Sequence, residues 1–286
     1  MFKIISVLGF VFISALSSKE KKLGIFEQFK RAVAVMKKDL SIYYLKGPVI
    51  IFGLLLPAFL FIAFALGRNL SVDFLIPGLL SMGLFFTVSS VGPMIAPWET
   101  RMKTFERLVS APIAIWAIIL GDIMASFLFG IFITSFILLA GVILLGIGII
   151  SIKLILGTIL AAFCFSSLGL IVSAHPTDNP SNIMMLATLI KFPLIFISGI
   201  FIPIREMGNL KFISYISPLT YYTDLVRYSV QGSHYFNPNV NLLVIVGLSV
   251  LFFTIATKWH KKSLGKGCCQ GYPVKINLFC YFYKCR

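Results

Sequence analysis

SGIFIPIREMGNLKFISYISPLTYYTDLVRY (residues 198–228) decides the fold, because this moderately polar segment lies between two apolar runs that are long enough to cross a membrane. An apolar residue recurs at every third position of residues 207–216, which predicts a short amphipathic helix. Ser217 and Pro218 predict a second helix, with serine as N-cap and proline at the first helical position, and Gly232 predicts its end. The segment therefore predicts a re-entrant or interfacial helical hairpin, with an ordinary soluble loop as the alternative.

The polar and aromatic side chains of this segment are the candidate functional residues of the hairpin. Asp224 and Arg227 lie one turn apart, opposite the apolar side of the second helix. Tyrosines favour the membrane–water interface, so the four tyrosines of the segment are expected to anchor the hairpin there. The candidate hairpin residues are Arg205, Glu206, Pro218, Tyr221, Tyr222, Asp224 and Arg227, with Tyr215 and Tyr228 as further anchors.

The composition indicates an integral membrane protein. Of the 286 residues, 58% are hydrophobic and only 12% are charged, which is about half the charged share of a soluble protein. The apolar residues form runs of about twenty and do not alternate over short strands, which excludes a β-barrel. The net charge of +15 comes from basic residues that flank these runs, so it indicates orientation and contact with anionic lipid and not a nucleic-acid partner.

Six apolar runs can each cross the roughly 30 Å of hydrocarbon in a bilayer. They are residues 48–67, 75–97, 123–146, 154–174, 183–202 and 240–257. The predicted fold is thus an all-α integral membrane protein with six transmembrane helices. Residues 1–18 are an apolar extension or extra anchor, and residues 19–47 are an amphipathic elbow. Residues 48–262 are the membrane domain, and residues 263–286 are a basic tail that contains cysteines.

Basic residues set the predicted orientation. Eight lysines and arginines lie between positions 19 and 46, three follow the second span and three follow the sixth. The positive-inside rule therefore places the segment before the first span and the C-terminal tail in the cytoplasm, and the hairpin outside the plasma membrane. Residues 25–45 predict a basic amphipathic elbow helix, which is expected to lie in the inner interface. Its apolar face comprises Phe26, Phe29, Val33, Met36, Leu40 and Tyr43.

The connection after the second span, ETRMKTFERLVSAP (residues 99–112), predicts a charged cytoplasmic helix. Met102, Phe105 and Leu108 share one face, and Glu99 stands four residues before Lys103 in the favoured order for an ion pair. Such a helix suits docking to a soluble partner, and a solvated connector is the alternative. The candidate contact residues are Glu99, Arg101, Phe105, Glu106 and Arg107.

Two ionisable residues lie inside apolar runs, Asp122 and Lys191. Charge at membrane depth is costly and usually faces protein or water. We expect the third helix to begin well after Pro112, which leaves Asp122 at the inner interface. Lys191 has three possible environments. They are an ion pair with Asp122 if the third helix instead starts right after Pro112, a backbone carbonyl or a water-filled cavity between two subunits, and an interface reached by snorkelling.

Known catalytic and metal-binding patterns are absent from the sequence. It has no phosphate-binding GxxxxGK[ST] loop, so the chain is not expected to bind or hydrolyse ATP itself, and its three histidines lie far apart. Cys164 is expected to be a packing residue within an apolar run. The four cysteines of the tail are expected to be free thiols, since adjacent cysteines fit zinc poorly.

The combination of residues 99–112, 198–207 and 213–227 resembles the permeases of the ABC-2 family of ATP-binding-cassette transporters, in particular the drug- and polyketide-exporter type. The resemblance covers residues 25–262. It implies a six-helix domain with an elbow helix, a coupling helix that meets the ATPase and an extracellular re-entrant hairpin. Two such domains, identical or different, would work with two nucleotide-binding subunits that hold ATP and Mg²⁺. Residues 1–18 and 263–286 depart from the family, as does Asp122, near which a basic residue is common.

The expected function is therefore the membrane-spanning subunit of an ATP-driven exporter of hydrophobic or amphipathic substrates. A secondary transporter is one alternative, but it would place polar features at midplane in both halves of the chain. A membrane-embedded lipid-modifying enzyme is the other, but it would need clustered acids or histidines.

Overall fold

The computed structural model describes residues 24–43, 51, 55–66, 72–102, 104, 108, 111, 113–145, 151–174, 179–201, 204, 207–208 and 211–269. Within these ranges all regular secondary structure is helical. The helices are α1 (Ile25–Ile42), α2 (Leu56–Leu66), α3 (Val72–Arg101), α4 (Ile115–Leu145), α5 (Ile152–Ser173), α6 (Pro180–Ile197), α7 (Lys211–Ser214), α8 (Pro218–Gln231) and α9 (Pro238–Cys269).

Four of these helices are long and apolar enough to cross a membrane, which supports a multi-pass membrane protein. The qualifying stretches are Ile76–Glu99 in α3, Ile115–Leu139 in α4, Ile152–Ser173 in α5 and Pro238–Lys262 in α9. They correspond to the predicted second, third, fourth and sixth spans. Helix α2 and the shorter apolar stretch of α6 occupy the places of the first and fifth, and that these two also cross the membrane stays a prediction.

Helix α3 lies at the centre of the described bundle. It packs against α2, α4, α5, α6 and α8, and nearly all of its apolar stretch is buried. Phe85 of α3 packs edge-on against Phe165 of α5, with ring centroids 5.0 Å apart, and Phe165 packs in the same way on Tyr222 of α8 at 6.0 Å. The main apolar core is therefore built from α3, α5 and the second hairpin helix together.

Two helix boundaries differ from the predicted ones. Helix α4 begins at Ile115, earlier than expected, so Asp122 lies two turns inside it. The side-chain oxygen of Gln28 accepts a hydrogen bond of 2.9 Å from the backbone N–H of Ala114, which gives a partner to a donor next to the start of the helix. Helix α9 continues past position 257 to Cys269, because the lysines that end the apolar run are themselves good helix formers.

Helix α1 is present as predicted, but only part of its predicted apolar face contacts the protein. Tyr43 is buried in an apolar cluster of the bundle, and Met36 and Leu40 pack against that cluster. Phe26 is 71% exposed and Phe29 is 45% exposed, whereas the side packed on α4 carries smaller or polar residues. The buried residues of α1 are Gln28, Ala32, Val35 and Asp39. This arrangement suits an interfacial helix, because the exposed part of its apolar face around Phe26 and Phe29 is left for lipid while the rest docks on the protein.

Close contact between α1 and α4 depends on the absence of a side chain at Gly121. A Cβ atom there would lie 2.7 Å from the carbonyl oxygen of Ala32 and 2.7 Å from Cβ of Val35. Small residues at such crossings let two helix backbones approach closely. Neither obstructing atom can move without moving α1 itself.

Replacing Gly121 with alanine should therefore destabilise the protein by about 1–3 kcal/mol, because the added methyl group overpacks the α1–α4 contact. Gly247→Ala is the matched control, since nothing lies within 4 Å of a Cβ atom added there. That change should be neutral or slightly stabilising, as alanine is the better helix former. Thermal unfolding of both variants in one detergent measures the difference, and equal midpoints would contradict this helix crossing.

Candidate functional site

The second hairpin helix, α8, has the predicted ends, whereas the first hairpin helix is shorter than predicted. Pro218 is the first residue of α8, and Gly232 ends it in the left-handed conformation with φ of 69°. Ser217 occupies the N-cap position, but its hydroxyl makes no capping hydrogen bond. Among the described residues of the predicted helix over 207–216, only the single turn α7 is an α-helix. Candidates Arg205 and Glu206, like residues 209–210, lie outside the described residues.

Helix α8 is embedded in the bundle, so Tyr221 and Tyr222 are buried in protein and not exposed at an interface. Tyr228 is only partly buried, and its interfacial role stays a prediction. Residues 218–226 are all buried, among α3, α5 and α9. Tyr222 is only 1% exposed, and its hydroxyl lies 3.1 Å from the hydroxyl of Thr158. The Tyr221 hydroxyl donates to the carbonyl of Tyr215 at 2.7 Å. These hydrogen bonds explain why the phenol groups can be buried without leaving an unpaired hydroxyl.

Asp224 fixes the connection between α8 and α9. Its carboxylate accepts hydrogen bonds from the backbone N–H groups of Tyr235 and Phe236, at 2.7 and 2.9 Å, and from the side-chain amide of Asn241 at 2.8 Å. Arg227 extends the other way and donates to the carbonyl of Gly199, after the end of α6, at 2.6 Å. The predicted polar residues of the hairpin thus join it to the helices before and after it.

A second polar site joins the elbow helix to the C-terminal end of α3. Lys38 of α1 donates to the carboxylate of Glu99, which is only 3% exposed, and lies 3.0 Å from a carboxylate oxygen of Asp39. Burial lowers the pKa of Lys38, but the two carboxylates raise it by more, so the lysine stays charged. The sequence did not predict this site, although Gln28, Ala32, Val35 and Asp39, spaced by four, three and four residues, share one side of α1.

Asp39 also faces Asp122, and the two carboxyl groups lie next to each other where α1 packs on α4. Burial raises the pKa of Asp39 above its ordinary value of 3.8, and neither the Asp122 carboxyl nor the Lys38 ammonium offsets that effect. Two adjacent buried carboxylates cannot both ionise at low cost, which favours retention of a proton by the pair. Asp122 is therefore part of the elbow junction.

The predicted partner-contact residues are only partly described. Arg101 is exposed at the last position of α3. Glu99, by contrast, is buried against Lys38, and its predicted partner Lys103 lies outside the described residues. The side chains of Phe105, Glu106 and Arg107 lie outside the described residues, so their role stays a prediction.

Lys191 does not pair with Asp122. Its ammonium donates to the hydroxyl of Ser90 on α3 at 2.9 Å and lies 5.6 Å from the centroid of the Phe86 ring. It borders a recess between α3 and α6 of the same chain. The predicted cavity between two subunits stays a prediction. The recess is lined by Phe86, Ser90, Met184, Ala187, Thr188 and Lys191.

Asp39→Asn should raise stability at neutral pH and flatten its pH dependence. Because the pKa of Asp39 is raised in the native state, protonation of this carboxyl stabilises the folded protein. That stabilisation is fully present below the ordinary pKa of 3.8, and it is lost as the pH rises through the raised native pKa. Asparagine keeps a neutral side chain throughout. Unfolding midpoints should be measured between about pH 4 and pH 8, with the exposed Glu27→Gln as control. Parallel profiles for wild type and Asp39→Asn would contradict the assignment.

Comparison with known proteins identifies the family. Residues 25–230 match the family model described as ABC-2 type transporter, a stretch that runs from the elbow helix α1 to the end of α8. A search of curated proteins finds no matching relative. Since the match covers well over half of the sequence and includes the whole site that joins α1 to α3 and α4, the chain belongs to the ABC-2 type transporter family and is the membrane-spanning permease component of an ATP-binding-cassette transporter.

Proposed function

We propose that this permease exports a hydrophobic or amphipathic substrate across the plasma membrane, driven by ATP that a separate subunit hydrolyses. The observation that carries the proposal is the family match over residues 25–230. Family membership implies an ATPase partner. The proposal adds that two permease domains, identical or related, associate and alternate between inward- and outward-facing states. ATP and Mg²⁺ bind the partner subunits.

The end of the bundle that holds the elbow junction is the proposed cytoplasmic side. Two contacts at this end, Lys38 with Glu99 and Gln28 with Ala114, join α1 to the flanks of the connection between α3 and α4. The segment 99–112 between them is the proposed coupling helix. Charged residues would set its register on the ATPase, and Phe105 would be the buried anchor. Because Glu99 is engaged by Lys38, we propose that it holds the start of this helix.

The hairpin marks the proposed outer side. Lys153, at the start of α5, lies with its ammonium 5.2 Å from the ring centroid of Tyr228 near the end of α8. Both residues are on the predicted outer side, so their proximity supports a common face. Helix α8 would close the outer end of the bundle, and its burial suits a plug that stays in place.

The two alternative functions lack support of this kind. Within the residues described, no three His, Cys, Asp or Glu side chains form a group that could hold a metal ion. The family match favours an ATP-driven permease over a secondary transporter.

Phe105→Ala and Glu106→Lys should each leave expression intact but reduce transport per ATP hydrolysed, about tenfold or more if the anchor behaves as an interface hot spot. Phe212→Ala is the matched control, because Phe212 is exposed in the hairpin at the proposed opposite side. Transport and ATPase activity are measured together on vesicles that contain the permease and its ATPase. Unchanged coupling in both variants would contradict the assignment, and the absence of any associating ATPase would overturn the proposed function.

A cysteine at Ser233 should react with a membrane-impermeant thiol reagent added from outside, because this residue is exposed just after α8. Asp224→Cys should react poorly from either side, since position 224 is only 4% exposed. The test uses a variant that lacks the five native cysteines. Labelling of Ser233→Cys only from the cytoplasmic side would invert the proposed topology.

A further inference from the structure

We propose that the recess between α3 and α6 binds the anionic group of an amphipathic substrate, with Lys191 as its counter-ion. The inference rests on the proposed transport function and names the chemical class of its substrate. That class is a hydrophobic molecule with one acidic group of single negative charge, such as a carboxylate.

The position of Lys191 on α6 is one that an apolar residue would ordinarily fill. Ile183, Ala187, Lys191 and Ile195 are spaced four residues apart and are all buried. Helix α6 packs mainly on α3, so this stripe is its docking side. A lysine in such a stripe costs free energy, because burial removes water from its ammonium group.

The contacts of Lys191 among the described residues supply no negative charge. One hydrogen bond goes to the neutral hydroxyl of Ser90, and the face of Phe86 provides a weak cation–π contact. Among the described residues, Lys30 and Lys38 do form ion pairs with acidic side chains, but both of these lysines lie on α1 and not at the recess. An ammonium group has three donors, so a bound anion could accept from those that Ser90 does not use.

The other polar groups of the recess limit the ligand to a single charge. The hydroxyl of Ser90 donates to the carbonyl of Phe86 at 2.5 Å, and that of Thr188 donates to the carbonyl of Met184 at 2.7 Å. Both hydroxyl hydrogens are thus directed to their own helices. Of the side chains that line the recess, Lys191 can therefore offer hydrogen bonds to an anion without breaking a bond that it already makes.

The size and lining of the recess explain why the ligand should be amphipathic. Its empty space reaches about 240 Å³ only when the part open to the outside is included, and the enclosed part has room for little more than a water-sized group, such as an oxygen of a carboxylate. Apolar walls from Phe86, Met184 and Ala187 surround the polar groups. The recess can hold a small charged group, and the rest of the molecule would lie outside it against apolar protein or lipid.

Oleate and its methyl ester test this assignment, because they differ in charge and share one hydrocarbon chain. Binding of each radiolabelled probe is measured on the full-length chain in phosphatidylcholine nanodiscs, with empty nanodiscs subtracted. Oleate should bind about tenfold more tightly or better than the ester. Lys191→Met should abolish that preference and Lys191→Arg should keep it. Lys153→Met, which removes a lysine outside the recess, should resemble the wild type.

Equal binding of oleate and ester to the wild type, or a preference that survives Lys191→Met, would overturn the inference. Competition arms identify the source of the anion. If phosphatidylglycerol displaces radiolabelled oleate to the same extent as unlabelled oleate does, the occupant is bulk lipid. If inorganic sulfate does so, the recess holds any small anion. Either result overturns the substrate assignment.

A measurement on the wild type covers the case in which the methionine variant fails to fold. Oleate, but not its ester, should slow acylation of the Lys191 amine by an amine-reactive reagent, read by mass spectrometry. Equal protection by both would count against the inference. These experiments contain no ATPase, so failure to find oleate binding leaves the permease function standing. Failure to find an ATPase partner equally leaves the binding result standing.

Discussion

Burial of helix α3 on almost every side is the constraint on which the described structure depends. A buried helix in apolar surroundings cannot direct polar side chains to water, so each one needs a protein partner. Two partners are lysines from other helices: Lys191 at Ser90 and Lys38 at Glu99. The recess and the elbow junction are thus two consequences of one requirement, placed at different heights on the same helix.

The distance between these two contacts connects the proposed sites mechanically. Ser90 and Glu99 are nine residues apart, which is about 13 Å along a helix. Pro93 and Pro97 lie between them, and each removes one backbone hydrogen-bond donor. Bending of α3 should therefore concentrate in this stretch. A movement of the elbow junction would alter the position of Ser90 relative to Lys191, so the proposed coupling end and the proposed ligand recess share a structural connection.

The features that sequence could predict are those set by short-range rules. The ends of α8 follow from proline at its first position and glycine after its last, and the four membrane-length helices follow from apolar run length. Features set by contacts between helices could not be predicted in this way. Polar residues 218–228 predicted an exposed or interfacial helix, yet the bundle supplies Asp224 with three donors and buries it. Likewise Glu99 meets Lys38, sixty-one positions away, a contact that no short-range spacing indicates.

The elbow junction also gives a physical reading of the departure at Asp122. The ABC-2 resemblance leads one to expect a basic residue near this position, and such a residue would neutralise Asp39 across the α1–α4 contact. Here an acid faces an acid, and Lys38 is shared between Asp39 and Glu99. One cation then serves three carboxyl groups, so full ionisation would leave uncompensated negative charge in a buried contact. A retained proton removes part of that charge without any change in packing. The close approach at Gly121 requires α1 to remain against α4, so in this chain the docking of the elbow helix is tied to protonation as well as to shape.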